Sequence, residues 1–206
     1  MSHITVERFR DDRRKQKAPI EQALYQNVYM DVVPSQRQAG LPIVSVTGPN
    51  LPFHVRNAEK LLGRWQKLHA VEHNEKIFKA IERAHDQMGG PKNVQLYHGD
   101  VFDVARYVAR RTRSQRIFFD FDLCRTFSCL AKEGLCQELR RLRTVCCNND
   151  HLSYIWLILT FSLRKEKLTP REIDNRIIRA WWCNLERIIG TTYKDGTGMY
   201  TVLFRG

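Results

Sequence analysis

Between Ile43 and Asp122 the chain alternates short apolar runs with amphipathic ones, and every apolar run ends in a polar or acidic residue. The runs are Ile43–Val46, Leu68–Val71, Asn93–Tyr97 and Ile117–Phe121. Their exits read Thr47-Gly48-Pro49-Asn50, Glu72-His73, His98-Gly99-Asp100 and Asp120-Phe121-Asp122. This alternation predicts an α/β fold in which parallel strands are joined by right-handed helical crossovers. The carboxyl ends of such strands open on one crevice, so the exits are expected to line a single ligand site.

The segments around these runs extend the pattern. Asn50 and Pro52 suit a helix start, and Val55, Ala58, Leu61, Leu62 and Trp65 then share one face. Ile77, Ala80, Ile81, Ala84 and Met88 mark a second helix, which Gly89-Gly90-Pro91 stops. A third has Val101, Val104, Ala105 and Val108 on its apolar side and Arg106, Arg110, Arg111 and Arg113 around the other. Ile117–Phe121 is nearly continuously apolar, as suits a strand buried on both faces. A helix is expected from about Ser128 to Arg143 and a central fifth strand at Tyr154–Phe161. Thr169-Pro170-Arg171-Glu172 reads as a capping box opening a helix that runs to Ile189. The tail from Thr191 to Phe204 reads as two strands about Asp195-Gly196.

With 206 residues, 43% of them hydrophobic, the chain supports one core. Residues 41–206 are assigned to the α/β domain. Residues 1–40 are assigned to a basic arm at Val6–Lys17 and a short helix in which Ile20, Ala23, Leu24 and Val28 recur, followed by a polar loop at Pro34–Gly40. A net charge of +12 attracts polyanions, of which nucleic acid is the commonest partner. Cys124, Cys129, Cys136, Cys146, Cys147 and Cys183 lack the paired spacing of zinc sites, so no metal is expected and the thiols suit a reducing compartment. With no apolar leader and no membrane-length apolar run, the expectation is a cytoplasmic or nuclear protein, not a secreted or membrane one.

Five strand–helix units closed by a hairpin resemble the class I S-adenosylmethionine-dependent methyltransferases over roughly Ile43–Phe204. The resemblance implies a three-layer α/β/α, doubly wound, mostly parallel seven-stranded sheet with a C-terminal antiparallel hairpin. It also implies S-adenosylmethionine as cofactor. By that likeness Thr47, Gly48, Pro49 and Asn50 form the first loop, against the cofactor's methionine part; Glu72, followed by His73, accepts the ribose hydroxyls; and Asp100 with Val101 holds the adenine. Asp120 and Asp122 stand where the reactive end of the cofactor meets its substrate, and are the candidate catalytic groups. Arg110, Arg111, Arg113 and Arg125 are candidate contacts to a nucleic-acid backbone, together with the arm and the Arg140-Arg141-Arg143 cluster.

This sequence departs from the family at two places. The first loop has one glycine where two or three are usual, followed by a proline without an amide hydrogen. After the fourth strand, Asp122-Leu123-Cys124 lacks the prolines of the amino-methylating DNA enzymes, and Cys124 is read as a buried structural thiol. Arg125 is expected either at a phosphate or in a salt bridge to one of the two aspartates. Two functions therefore stand side by side: a methyltransferase acting on RNA or DNA, and an inactive relative that binds nucleic acid or serves as a scaffold. A dinucleotide-dependent oxidoreductase is a third, weakened by the lack of Gly-x-Gly-x-x-Gly.

Overall fold

Alternation along the strands divides the core in two. In the strand Arg116–Asp122, Ile117, Phe119 and Phe121 belong to one apolar cluster and Phe118 to another, all four fully buried. The computed structural model describes residues 19–20, 22–28, 41–48, 51–52, 55–56, 67–181, 184–195 and 197–206. The expectations placed on Val6–Lys17, Pro34–Gly40, Pro49, Asn50, Ala58, Leu61, Leu62, Trp65, Cys183 and Gly196 lie outside them.

The strands are β1 (Pro42–Val46), β2 (Lys67–Glu72), β3 (Val94–His98), β4 (Arg116–Asp122), β5 (Tyr154–Ser162), β6 (Glu186–Asp195) and β7 (Thr197–Arg205). They form one sheet in the order β3-β2-β1-β4-β5-β7-β6. Pairing is parallel from β3 to β5; β7 then runs antiparallel to both β5 and β6, which is the closing hairpin expected from the tail.

Helices α1 (Glu75–Gln87), α2 (Val101–Arg111), α3 (Phe127–Lys132), α4 (Leu135–Cys147) and α5 (Pro170–Trp181) join them. α2, α4 and α5 pack beside one another on one face, through Val104, Ala105, Val108, Leu139, Leu142, Ile173 and Ile177. The other face is covered by helical residues 22–28, by Leu51 and Val55, and by Ile81 of α1. Leu24, Tyr25 and Val28 are buried there, so the short helix after Pro19 is part of the folded body.

Local chemistry sets the helix ends. Asn74 caps α1 through the Lys76 and Ile77 amides, and Gly89 and Gly90 follow its end with φ of 81° and 59°. The capping box at α5 forms: Thr169 donates from its amide and hydroxyl to Glu172 Oε2, both at 2.8 Å, and Thr169 Oγ1 accepts from the Glu172 amide.

Two expected helices differ in extent. The span Ser128–Arg143 is broken into α3 and α4, because Gly134 at φ 104° turns the chain between them. The helix from Pro170 ends at Trp181 and not at Ile189, since Asn184 is left-handed at φ 50° and Ile189 pairs with Leu203 in the hairpin.

Within β2, His69 is 8% exposed and its Nδ1 lies 3.1 Å from the Tyr97 hydroxyl. Burial, helped by the Lys67 charge, lowers its pKa to about 4. The unfolded chain takes up this proton near 6.5 and the folded one near 4, so His69 removes stability as the pH falls through that window.

Two predictions test this account. Among the described residues a Cβ at Gly134 would meet no atom within 4 Å, so Gly134→Ala should cost only its backbone term, about 1–2 kcal/mol in urea unfolding, and Gly134→Asn less. Between neutral pH and about pH 5 the wild type should lose about 2 kcal/mol more than His69→Gln; equal losses would mean that the imidazole is not held neutral.

Candidate functional site

Register alone brings the strand exits together. Val46 pairs with Val71, so Thr47 emerges beside Glu72; Glu72 pairs with His98, two residues before Asp100; Ser45 pairs with Asp120, so Thr47 and Asp122 emerge side by side. The carboxyl ends of β1 to β4 thus present Thr47, Glu72, Asp100 and Asp122 on one rim.

At the end of β1, Ser45 and Thr47 are 0% and 3% exposed, and among the described residues neither hydroxyl has a hydrogen-bond partner. Buried hydroxyls without partners cost free energy, which a polar ligand at this end of β1 would recover. Gly48 follows at φ 51°, a left-handed conformation that suits glycine, and among the described residues a Cβ there would meet nothing within 4 Å. Toward those residues the turn is open. Pro49 and Asn50 lie outside the described residues.

Glu72 is 5% exposed, and its Oε1 accepts from the Asn74 amide at 2.8 Å and lies 3.2 Å from His73 Nδ1. The His73 ring is 84% exposed, while its carbonyl lies 3.1 Å from His98 Nε2 and ties this loop to β3. Gly99 donates to the Glu72 carbonyl at 3.1 Å, which holds the Asp100 turn against it. Asp100 caps α2: its Oδ1 accepts from the Phe102 and Asp103 amides at 2.8 and 3.1 Å. Both bonds use one oxygen, so the exposed Asp100 is a helix cap that keeps a second oxygen toward solvent. Val101 behind it is half-buried and packs on the core.

The two candidate catalytic aspartates occupy different places. Asp122 is the last residue of β4, half-buried at the rim, and its Oδ1 accepts from Cys124 Sγ at 3.0 Å. Asp120 is 5% exposed within the strand, and its Oδ2 accepts from the Tyr25 hydroxyl at 2.9 Å. Sequence reasoning missed Tyr25, although the helical spacing of Leu24 and Val28 beside it was visible.

Other expectations shift. Cys124 is exposed at φ 51° and not buried. Arg125 pairs with neither aspartate: its guanidinium forms a bidentate pair with Glu133 and donates to Cys129 Sγ at 2.9 Å, and it holds the Glu133 carboxyl below its ordinary range. α2 starts at the rim with its Asp100 cap and runs back toward the start of β4, so Arg110, Arg111 and Arg113 stand at the far end of the sheet, with Arg111 4.1 Å over the Tyr107 ring. Among the described residues no three His, Cys, Asp or Glu side chains gather to hold a metal, and no helix is long and apolar enough to cross a membrane.

No family model and no curated protein matches the sequence. Solved structures do match the fold. TrmN from Thermus thermophilus superposes with a TM-score of 0.54 at 15% identity, over 90% of this chain and 48% of its own, so this chain spans about half of TrmN. Magnesium protoporphyrin IX methyltransferase from Synechocystis, solved with bound S-adenosylmethionine, gives 0.54 at 10% identity over 95% and 84% of the two chains. Fibrillarin from Aeropyrum pernix, with natively bound S-adenosylmethionine, gives 0.53 at 9% over 89% and 74%. The fold is that of the class I methyltransferases. Within the methyltransferase fold, the rim from Thr47 to Asp122 is the crevice at the carboxyl ends of the strands, where a ligand is expected to lie.

The Tyr25 contact is open to direct test. Tyr25→Phe should lower stability by about 0.5–3 kcal/mol, the range for a buried hydrogen bond whose loss leaves an acceptor unpaired. In a double-mutant cycle with Asp120→Ala, which removes the acceptor, the losses should be less than additive; strict additivity would show that the bond contributes nothing.

Proposed function

We propose that this chain is an S-adenosylmethionine-dependent methyltransferase that acts on nucleic acid, RNA or DNA. The observation that carries the reading is the buried Glu72 carboxylate, seated between the orphaned Thr47 hydroxyl and the Asp100 turn on adjacent strand ends. These groups suit a nucleoside. Glu72 Oε1 already holds the Asn74 amide, and the carboxylate has the capacity to accept ribose hydroxyls; the second oxygen of Asp100 can accept from an adenine amino group beside Val101. The open turn at Gly48 leaves room for the amino-acid part, and the hydroxyl of Thr47 would gain a partner there.

When bound, S-adenosylmethionine supplies an activated methyl group, and the protein's contribution is then mainly alignment and exclusion of water. Asp122 is the group at the rim for that task. Its carboxylate can accept a hydrogen bond from an amine or hydroxyl and hold the nucleophile in line, while its charge favours a cation nearby. Asp120, held by Tyr25 within the sheet, supports that end of β4. The charge of +12 supports a polyanionic substrate.

A second reading, an inactive relative that binds nucleic acid or acts as a scaffold, is favoured by one feature: the first loop has a single glycine, followed by a proline. Calorimetry with S-adenosylmethionine separates the two. Saturable binding should weaken at least tenfold in Glu72→Ala, which removes a charged acceptor, and no heat at millimolar cofactor would favour the scaffold. Asp100→Ser keeps a good helix cap but loses the second oxygen, so it should weaken cofactor binding with little loss of stability.

A further inference from the structure

Several arginines and lysines among the described residues are paired with acids. Arg106 bonds Asp103 and Glu138, Arg141 bonds Glu138, Arg125 bonds Glu133, Arg187 bonds Asp174, Arg205 bonds Glu186 and Lys79 bonds Glu75. The loop between β5 and α5 is arranged the other way. Arg164, Lys165 and Lys167 are all exposed and belong to none of these pairs.

The one acid in that loop is turned inward. Glu166 accepts from the Ser128 amide at 2.8 Å, from the Ser128 hydroxyl, and from the Lys167 and Leu168 amides at 2.8 and 3.1 Å. Burial alone would raise its pKa, but these bonds outweigh it and hold the carboxyl below its ordinary range. The same side chain fixes the loop to the start of α3 and makes no ion pair with Arg164, Lys165 or Lys167, so the loop keeps a net positive charge of three cations against one carboxylate. The Glu166 amide also closes a turn onto the Leu163 carbonyl at 3.1 Å, with Lys165 at φ 61° inside it.

The loop stands at the acceptor side of the crevice. Asp122 pairs with Thr160 in the β4–β5 ladder, the Ser162 amide donates to the Arg125 carbonyl at 2.9 Å, and the Leu163 amide donates to the Gly198 carbonyl at 2.7 Å. The exits of β1, β2 and β3 lie on the other side of Asp122. Three exposed, unpaired cations on a braced loop next to the rim aspartate match the charge of a phosphodiester backbone.

We infer that the Glu166-braced loop is the phosphate-binding wall of the acceptor site, and that a nucleic-acid strand lies along Arg164, Lys165 and Lys167 with its reacting nucleotide over Asp122. This rests on the nucleic-acid reading above and fixes which surface serves it. The arginines at the far end of α2 then act only through net charge.

The test uses the full chain and labelled random-sequence single-stranded oligonucleotides, RNA and DNA, titrated across a range of salt. The triple variant R164Q/K165Q/K167Q is compared with R110Q/R111Q/R113Q, which removes the same charge at the other end of the sheet. Each lost phosphate contact lowers the slope of log affinity against log salt by roughly 0.7, so the loop variant should lose about 2 and the far-end variant much less. Calorimetry with S-adenosylmethionine should give the wild-type affinity in the loop variant. Equal changes in the two variants would overturn the loop assignment and leave nucleic-acid binding standing. No oligonucleotide binding by the wild type, or binding of polyglutamate in its place, would overturn both.

Discussion

The parallel ladder between β1 and β4 is the constraint on which the site depends. The chain moves outward from β1 to β2 to β3, then returns across both to place β4 on the other side of β1. Right-handed crossovers taken in opposite directions put their helices on opposite faces, so this reversal explains why Val55 and Ile81 belong to one apolar cluster and Val104 and Val108 to the other. At such a reversal of strand order a gap is expected outside the carboxyl ends of β1 and β4. Because Ser45 lies beside Asp120 in that ladder, the residues two steps further on, Thr47 and Asp122, are forced to the edge of the gap.

Central strands of such a sheet are buried on both faces, which makes a carboxylate within one costly unless it is hydrogen-bonded. Asp120 meets that condition through Tyr25, a residue 95 positions away in sequence. The bond ties the helical residues 22–28 to the strand that carries Asp122, and Tyr25 packs edge-on to Phe118 at 5.0 Å between ring centres, on the same face. Stability at this point and the geometry of the rim are thus one matter: a change that loosens the N-terminal helix acts on β4 directly.

The strands and their exits were legible because the signals are local. Apolar runs of four or five residues, each closed by Thr47, Glu72, Asp100 or Asp122, state both the strand and its end. The break at Gly134 was also local, since glycine between Leu130 and Leu135 could have been weighed as a stop. The end of α5 was not: Ile188 and Ile189 fit a helical face as well as a strand, and pairing with Leu203 decides between them. Tyr25 on Asp120 was illegible for the same reason. The placing of Arg110 and Arg111 was within reach of sequence logic, because a helix that starts at Asp100 carries a residue ten positions on about 15 Å away from the rim.

The scarcity of glycine in the first loop bears on two separate requirements. Backbone conformation requires glycine only at a left-handed position, and at the end of β1 that position is Gly48, at φ 51°. Close approach of a ligand is the other requirement, and there the open surroundings of Gly48 matter more than the number of glycines. Pro49 cannot donate an amide hydrogen, so a loop of this composition offers fewer backbone donors than a glycine-rich one. Ser45 and Thr47 answer that shortage, because each places a hydroxyl without a partner at the carboxyl end of β1. In the proposed function, polar capacity that other loops draw from the main chain comes here from side chains on the strand. That exchange keeps hydrogen-bond donors at the site although Pro49 brings no amide hydrogen of its own.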